Sequence, residues 1–184
     1  VKGSVARPRE GGAQNRVEAE AVVAALIDLL VRRNFKGSVG VVTPFRAQAQ
    51  LLQNLVHDTP ELEPHIAGAD LLIDTVHRFQ GDERDVMIFS TVVAAGVSQG
   101  ALGFLRANGN LFNVAITRAR GLLQVVGDRQ SALTCGVDYL ERFATYVDGL
   151  SLRGAASGGN TSQDLGSEYP PVSRPERVSD WERV

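Results

Sequence analysis

The sequence predicts an α/β fold in which helices cover both faces of a parallel β-sheet. Short uninterrupted apolar runs such as residues 39–42 alternate with longer segments whose apolar residues recur at helical spacing. A strand buried on both faces needs apolar side chains at successive positions, and alternation of strands with helices is typical of parallel sheets. With 184 residues, the chain is long enough for one domain with a substantial core.

The first two predicted elements are a helix and a strand. Asn15 and Glu18 have the spacing of a capping box, which predicts the start of a helix that extends to about Arg33. A strand over residues 39–42 follows. Pro44 ends that strand, because proline cannot donate a backbone hydrogen bond to a sheet.

The alternation of strands and helices continues through the rest of the domain. The pattern predicts helices over 47–56, 131–135 and 138–148, and strands over 71–74, 85–93 and 121–126. Thr43, Thr75 and Asp128 each follow a predicted strand. Because ligands of such sheets bind beyond the carboxyl ends of the strands, these positions are candidates for a site.

We expect the folded unit to comprise residues 15–148, preceded by a loop over residues 1–14. Residues 149–178 are rich in Gly, Ser, Pro and charge, which predicts a flexible linker. Residues 179–184 repeat the capping-box pattern around an apolar anchor, Trp181, and this predicts the start of a further domain. A frayed tail is the alternative interpretation of these last residues.

Composition and charge restrict the class of protein. Apolar residues make up 43% and charged residues 22% of the chain, and the net charge is -2, so any nucleic-acid contact must be a local patch. Cys135 is the single cysteine, which excludes a disulfide framework and a cysteine-based metal site. We see no signal peptide and no apolar run of membrane-spanning length, and we therefore expect a cytoplasmic protein with no membrane partner.

Two polar blocks, residues 74–85 and 113–120, lie between the apolar runs. The first block offers a hydroxyl, an imidazole, an amide, a flexible glycine and a carboxylate, which are Thr75, His77, Gln80, Gly81 and Glu83. The second block is predicted to place Arg118 and Arg120 on a short helix. This set suits a phosphate backbone on one side and a nucleoside triphosphate on the other. The sequence has no Gly-x-x-x-x-Gly-Lys-Ser/Thr cradle, so we expect the cradle on another domain.

Three segments resemble motifs of the second RecA-like domain of superfamily 1 helicases. They are VGVVTPFRAQ (39–48), similar to motif IV; DTVHRFQGDE (74–83), similar to motif V; and LFNVAITRAR (111–120), similar to motif VI. The branch they resemble is the 5′-to-3′ one that includes the nonsense-mediated-decay RNA helicase and the Okazaki-processing helicase-nuclease. The resemblance implies a three-layer, P-loop-NTPase-type RecA-like sheet that lacks its own P-loop.

The resemblance implies nucleotide roles for five residues. Arg118 matches the arginine that reaches the γ-phosphate, and Arg46 is the candidate for a second such arginine, with a surface salt bridge as the alternative. Glu83 matches a carboxylate at the nucleotide, Gly81 lets backbone amides approach phosphate, and Gln80 is either a polar relay or a loop brace. The implied cofactors are ATP and Mg²⁺, with the Mg²⁺ ligands on an N-terminal RecA-like domain.

The resemblance also implies a track for single-stranded nucleic acid. Thr75 matches a threonine that contacts the phosphate backbone, although a core threonine is the alternative, and His77 either touches the strand or faces solvent. Thr43, Pro44 and Phe45 end the motif IV strand where the nucleic acid would pass. Asn110 and Leu111 stand where many relatives carry two arginines, and residues 94–109 match nothing specific, so no site is predicted there.

Together these expectations describe the C-terminal motor domain of an ATP-dependent superfamily 1 DNA helicase. It would supply an arginine finger and part of the strand track to a site shared with an N-terminal RecA-like domain, and it would be inactive alone. We favour DNA because relatives of this kind carry nuclease-like C-terminal domains, and such a domain is a further expected partner. An RNA helicase, a non-catalytic nucleic-acid-binding module and a scaffold are the alternatives.

Overall fold

The computed structural model describes residues 1–8, 12–79 and 81–156 of the chain. Its centre is a four-stranded sheet in the order β2-β1-β3-β4, with neighbouring strands parallel throughout. The strands are β1 (Val39–Thr43), β2 (Leu72–Thr75), β3 (Arg84–Ser90) and β4 (Ala119–Val126). The predicted parallel α/β sheet is therefore confirmed.

Helices cover both faces of this sheet. They are α1 (Arg16–Leu26, continued by a π-helical segment Ile27–Arg32), α2 (Arg46–His57), α3 (Glu63–Ile66), α4 (Gln99–Ala107), α5 (Gly109–Thr117), α6 (Arg129–Leu133) and α7 (Asp138–Ala156). Successive strand residues point to opposite faces and enter two separate cores: Val41 and Ile88 pack beneath α1 and α2, whereas Val42 and Phe89 pack beneath α4 and α5. This division explains why the strands are uninterrupted apolar runs.

Several predictions about the secondary structure need correction. The strand predicted over 85–93 ends at Ser90, and residues 94–109, for which no element was predicted, contain helix α4. Arg118 and Arg120 do not lie on a helix: α5 ends at Thr117, Arg118 caps it, and Arg120 belongs to β4. Helix α7 continues to Ala156, past the predicted boundary at 148, and the rest of the predicted linker and residues 179–184 lie outside the described residues.

The capping box predicted at the start of α1 forms only in part. The Asn15 side chain accepts a hydrogen bond from the Glu18 amide at 3.2 Å, as predicted. The reciprocal contact comes from Gln48 in α2, whose side-chain oxygen accepts from the Asn15 amide at 2.8 Å. Glu18 turns inward instead, and its carboxylate accepts from the Ser90 hydroxyl at 2.6 Å and from the Val92 amide at 2.9 Å. The first turns of α1 and α2 are thus fastened to the end of β3.

The predicted loop at the N-terminus is held against the same end of the sheet. The Val5 amide donates to the Ala95 carbonyl at 2.8 Å, and Ala6 and Gln14 exchange two backbone hydrogen bonds of 2.8 and 3.0 Å. Ala13 is buried in the core beneath α4. These contacts place Arg7 beside the carboxyl ends of the strands.

Candidate nucleic-acid and nucleotide sites

An open groove of about 800 Å³ lies at the carboxyl ends of β1 and β2. The residues that follow β1 line one part of it, the end of β2 and the next turn line another, and α4 and the N-terminal segment complete it. Its lining includes Arg7, Pro44, Phe45, Arg46, Asp74, Thr75, His77, Arg78, Ser98 and Phe104. The groove therefore lies beyond the carboxyl ends of parallel strands, which is the usual side for ligands in an open α/β sheet.

The connection from β2 to β3 explains which of its side chains reach the groove. It begins as a 3₁₀ helix, Val76–Phe79, whose two end residues are buried in the core. The Phe79 ring packs against β1 so closely that a Cβ on Gly40 would stand 2.8 Å from it. Because this turn has three residues per revolution, fixing its ends leaves His77 and Arg78 exposed.

The charge of the groove is predominantly positive. Arg78 has a distant partner in Asp74, with Nε and Oδ2 3.7 Å apart. Arg7 and Arg46 also line the groove, and neither forms an ion pair with a residue that the structure describes. Three arginines against one carboxylate therefore face this space, although the chain as a whole is slightly acidic. Such a local patch fits an anionic ligand.

Three of the four residues predicted to contact nucleic acid line the groove: Pro44, Thr75 and His77. The fourth, Thr43, does not reach it, because its side chain is fully buried at the end of β1. Thr75 is oriented by Asp74, whose carboxylate accepts from the Thr75 amide at 2.6 Å. Arg46, predicted as a second γ-phosphate arginine, lies with this group at the first turn of α2, and Arg118 is not part of the groove.

The other predicted residues meet at the opposite edge of the sheet. Glu83 precedes β3 and Arg118 precedes β4, and these parallel strands begin side by side, with Arg84 paired to Ala119. The Arg118 Nη1 and Glu83 Oε1 atoms are 3.9 Å apart, and the Arg84 amide donates to the Arg118 carbonyl at 2.9 Å. The sheet topology therefore brings residues of motifs V and VI into contact.

Arg118 keeps unused hydrogen-bonding capacity at this edge. Its side chain is only 25% exposed, and its Nε is buried without a hydrogen-bond partner among the described residues. The long contact with Glu83 leaves the partly exposed end of the guanidinium available to a ligand. Gly81 lies nearby along the chain with φ of +82° and open space around its Cβ position. Gln80 lies outside the described residues.

The neighbouring arginines at the same edge make shorter contacts with carboxylates, although the Arg84 Nε, like that of Arg118, is buried without a hydrogen-bond partner among the described residues. Arg84 contacts the carboxylates of Asp70 at 2.7 Å and Asp82 at 3.0 Å. Arg120 lies 3.3 Å from an oxygen of Asp85 and donates to the Ser38 hydroxyl at 3.1 Å. Hydrogen bonds from Ser38 lower the pKa of Asp85 below its usual value, which favours the charged form of this partner. These arginines therefore serve the structure.

The groove also contains residues for which the sequence indicated no role: Arg7, Ser98 and Phe104. Phe104 did leave a signal, because it falls outside the buried stripe of α4 formed by Ala101, Leu102 and Leu105. Arg7 left none, since nothing in the sequence shows that the N-terminal segment folds back against Ala95.

The part of the chain that the structure describes contains neither a cluster of metal-binding side chains nor a membrane-spanning helix. No group of three or more His, Cys, Asp or Glu side chains is arranged to hold a metal ion in residues 1–8, 12–79 and 81–156. No helix in the same ranges combines the length and the apolar character needed to cross a membrane.

The parallel sheet, the helices on both faces and the two polar edges define a RecA-like domain. A model of the AAA domain family, AAA_12, matches residues 2–130, which is more than half of the chain. The chain therefore belongs to this family, as a C-terminal RecA-like domain of superfamily 1 helicases. The family predicted from the three motifs is confirmed.

Three relatives illustrate the similarity. The DNA polymerase alpha-associated DNA helicase A of Saccharomyces cerevisiae is 37% identical over 113 residues, which is 61% of this chain and 15% of that protein. Helicase sen1 of Schizosaccharomyces pombe is 36% identical over 123 residues, 65% of this chain and 7% of that protein. The DNA replication ATP-dependent helicase/nuclease JHS1 of Arabidopsis thaliana is 28% identical over 118 residues, which is 64% of this chain and 8% of that protein. The chain thus spans a small part of each relative.

Proposed function

We propose that this chain is the C-terminal motor domain of an ATP-dependent helicase that tracks along single-stranded nucleic acid, with DNA as the favoured substrate. One observation carries the proposal: at both edges of one sheet lie arginines that have either no carboxylate partner among the described residues or only a distant one. Residues 74–83 run from one edge to the other, so a single segment contributes to both sites.

The groove is the proposed strand track. Arg7 and Arg46 are exposed cations without a described acidic partner, and they would contact backbone phosphates. Thr75, held by Asp74, and the exposed His77 would add hydrogen bonds to the same backbone. Contacts of this kind do not depend on base sequence, as a translocating motor requires.

The amino edge is the proposed nucleotide site. Arg118 would donate to the γ-phosphate of ATP bound to an N-terminal RecA-like domain, which would also hold Mg²⁺. The bound Mg²⁺ supplies neutralisation of the phosphate charge. The long 3.9 Å distance between the Arg118 Nη1 and the Glu83 Oε1 atoms supports this role, because a contact of this length leaves guanidinium donors for a phosphate. Glu83 is left with two acceptor oxygens for the nucleotide or its water.

The crossover between the two edges offers a route for coupling. Val76 and Phe79 are 1% and 0% exposed, so the turn between the groove and Gly81 is anchored in the close-packed core. A displacement at Glu83 on ATP hydrolysis would be transmitted through this turn to Thr75 and His77. Alternating grips on the strand would then follow the nucleotide state.

The experiment is to measure ATPase activity and single-strand binding of the complete protein with Thr75→Ala and His77→Ala combined. Each lost contact is worth roughly 1 kcal/mol, so the double variant should bind single strands about 10- to 30-fold more weakly. Basal ATPase should persist while stimulation by the strand falls. Arg120→Ala is the matched control, since that arginine is paired with Asp85 at the other edge. Unchanged strand affinity in the double variant would refute the track.

DNA is preferred over RNA because two of the three relatives described above are named for DNA. The same binding series with matched DNA and RNA strands decides between them, and tighter RNA binding with stronger ATPase stimulation would assign the chain to an RNA helicase. The proposal of a nuclease-like partner domain likewise rests on the name of a relative, since JHS1 is named as a helicase/nuclease.

A further inference from the structure

Phe104, in the helix for which the sequence indicated no site, presents an aromatic ring at the cationic groove. Three neighbouring side chains of α4, those of Ala101, Leu102 and Leu105, are buried in the core. Phe104 lies outside that stripe, is 40% exposed, and lines the groove. Helix α4 therefore holds Phe104 at the groove, outside the core.

A second ring supports Phe104 from below. The centroids of Phe45 and Phe104 are 5.6 Å apart with an interplanar angle of 43°, and Phe45 is only 7% exposed. Phe45 lies two residues past the end of β1 and directly precedes Arg46, so the aromatic pair is fixed to the same turn as one of the unpaired arginines. A ring braced in this way loses little conformational freedom when a ligand packs on it.

We propose that Phe104 is a stacking platform for a base of the nucleic acid strand in the groove, an inference that rests on the strand track proposed above. A positively charged groove that follows a backbone, combined with an aromatic side chain, is the arrangement by which proteins bind single strands. Arg7, Arg46 and Arg78 supply the charge, and Phe104 supplies the ring.

The stacking contact selects for unpaired nucleic acid. In a duplex both faces of each base are already covered by its neighbours, so a side-chain ring meets a base face only where the strand is single. The selection does not depend on base identity, because every base has a π-face. Phe104 would thus help the motor to recognise an unpaired strand while the arginines hold any phosphate backbone.

The test compares variants of the complete protein on two oligonucleotides of equal length, one with bases and one made of abasic units, by fluorescence anisotropy. Phe104→Ala should weaken binding of the base-containing strand by about 10-fold and leave binding of the abasic strand within twofold of the wild type. Phe104→Tyr should restore tight binding. Phe104→Leu, which keeps apolar cover over Phe45, should remain weak.

Three results would overturn the stacking role: equal losses on both strands, no loss on either, or full binding with Phe104→Leu. Arg46→Ala keeps this test separate from that of the track itself, because loss of a phosphate contact should weaken both strands alike. If wild-type protein binds neither strand, or if Arg46→Ala changes neither, the proposed track fails and the stacking role fails with it. Quenching of 2-aminopurine placed in the strand, lost in Phe104→Ala, gives an independent signature.

Discussion

The arginines at the two edges of the sheet differ in their contacts with carboxylates. This difference separates arginines that stabilise the fold from arginines that a ligand can bind. At the amino edge, Arg84 and Arg120 are matched to carboxylates at 2.7 to 3.3 Å. At the carboxyl edge, Arg7 and Arg46 have no ion pair with a described residue. Arg118 belongs to the amino edge by position, yet its carboxylate contact of 3.9 Å is longer than those of its neighbours.

This comparison shows why the number of arginines says little about function. An arginine whose donors already meet carboxylates gains little from a phosphate, because an existing contact must break first. An arginine with unmet donors has no such cost. The partners, more than the sequence position, therefore indicate which arginines a ligand can use.

The comparison is tested most directly by replacing each of the two arginines of motif VI, Arg118 and Arg120, separately with alanine in the complete protein. Arg118→Ala should reduce kcat by ~10³-fold, because an arginine that stabilises the transferring phosphoryl group contributes effects of that size. Nucleotide affinity should stay largely intact, since the contact acts mainly on transition-state charge. Steady-state ATPase kinetics and nucleotide titration measure the two quantities.

Arg120→Ala is the matched control for this prediction. It lies two residues away, and its ion pair with Asp85 is more than half exposed on the arginine side, so kcat should change by no more than a few-fold. If Arg120→Ala were as damaging as Arg118→Ala, the distinction between engaged and unengaged arginines would be wrong.

A buried polar network stabilises the carboxyl edge. Gln48→Ala should lower the free energy of unfolding of the domain by about 3 kcal/mol. The substitution removes an acceptor for the Asn15 amide and a donor to the Ser90 hydroxyl, and buried groups left unpaired cost roughly 1 to 3 kcal/mol each. Gln50→Ala on the same helix is the control, because Gln50 is exposed and pairs only with Asn54. Urea unfolding of the two variants measures the difference, and equal stabilities would show that the network is not needed.

Glu18, in the same network, should make the stability of the domain depend on pH. Burial raises the pKa of Glu18 to about 7, above its usual value of 4.5. Between these two pH values the unfolded chain releases the proton while the folded chain keeps it, so the free energy of unfolding falls as pH rises from 4.5 to 7. At ~1.4 kcal/mol per pKa unit, the fall is at most ~3.5 kcal/mol.

Glu18→Gln removes the titrating group while keeping a side-chain oxygen for the Ser90 and Val92 donors. The pH dependence in this window should be absent from the variant when unfolding is followed at pH values from 4 to 8. A wild-type domain whose stability is flat across the window, or rises, would contradict the assignment.

Much of the fold could be predicted because its signals are local. An uninterrupted apolar run such as 39–42 indicates a strand buried on both faces. The apolar spacing of 47–56 indicates a helix, which the structure places at Arg46–His57. Helix α4 was missed because Gly100 and Gly103 interrupt a weak pattern, and its stability comes from packing on the core beneath it. The half-formed capping box was missed because its second partner, Gln48, lies 33 residues away.

The sequence by itself determined the parallel α/β class, the family and the polar residues that carry the chemistry, because residue periodicity and motif order are properties of neighbouring positions. The tertiary structure alone decided which of those residues meet. The strand order β2-β1-β3-β4 places Arg46 beside Thr75 and His77, and the adjacent starts of β3 and β4 place Arg118 beside Glu83. Such contacts depend on how the chain folds in three dimensions. Folding brings together residues that are far apart in the sequence, and it places two residues of one motif, Thr75 and Glu83, at opposite edges of the sheet.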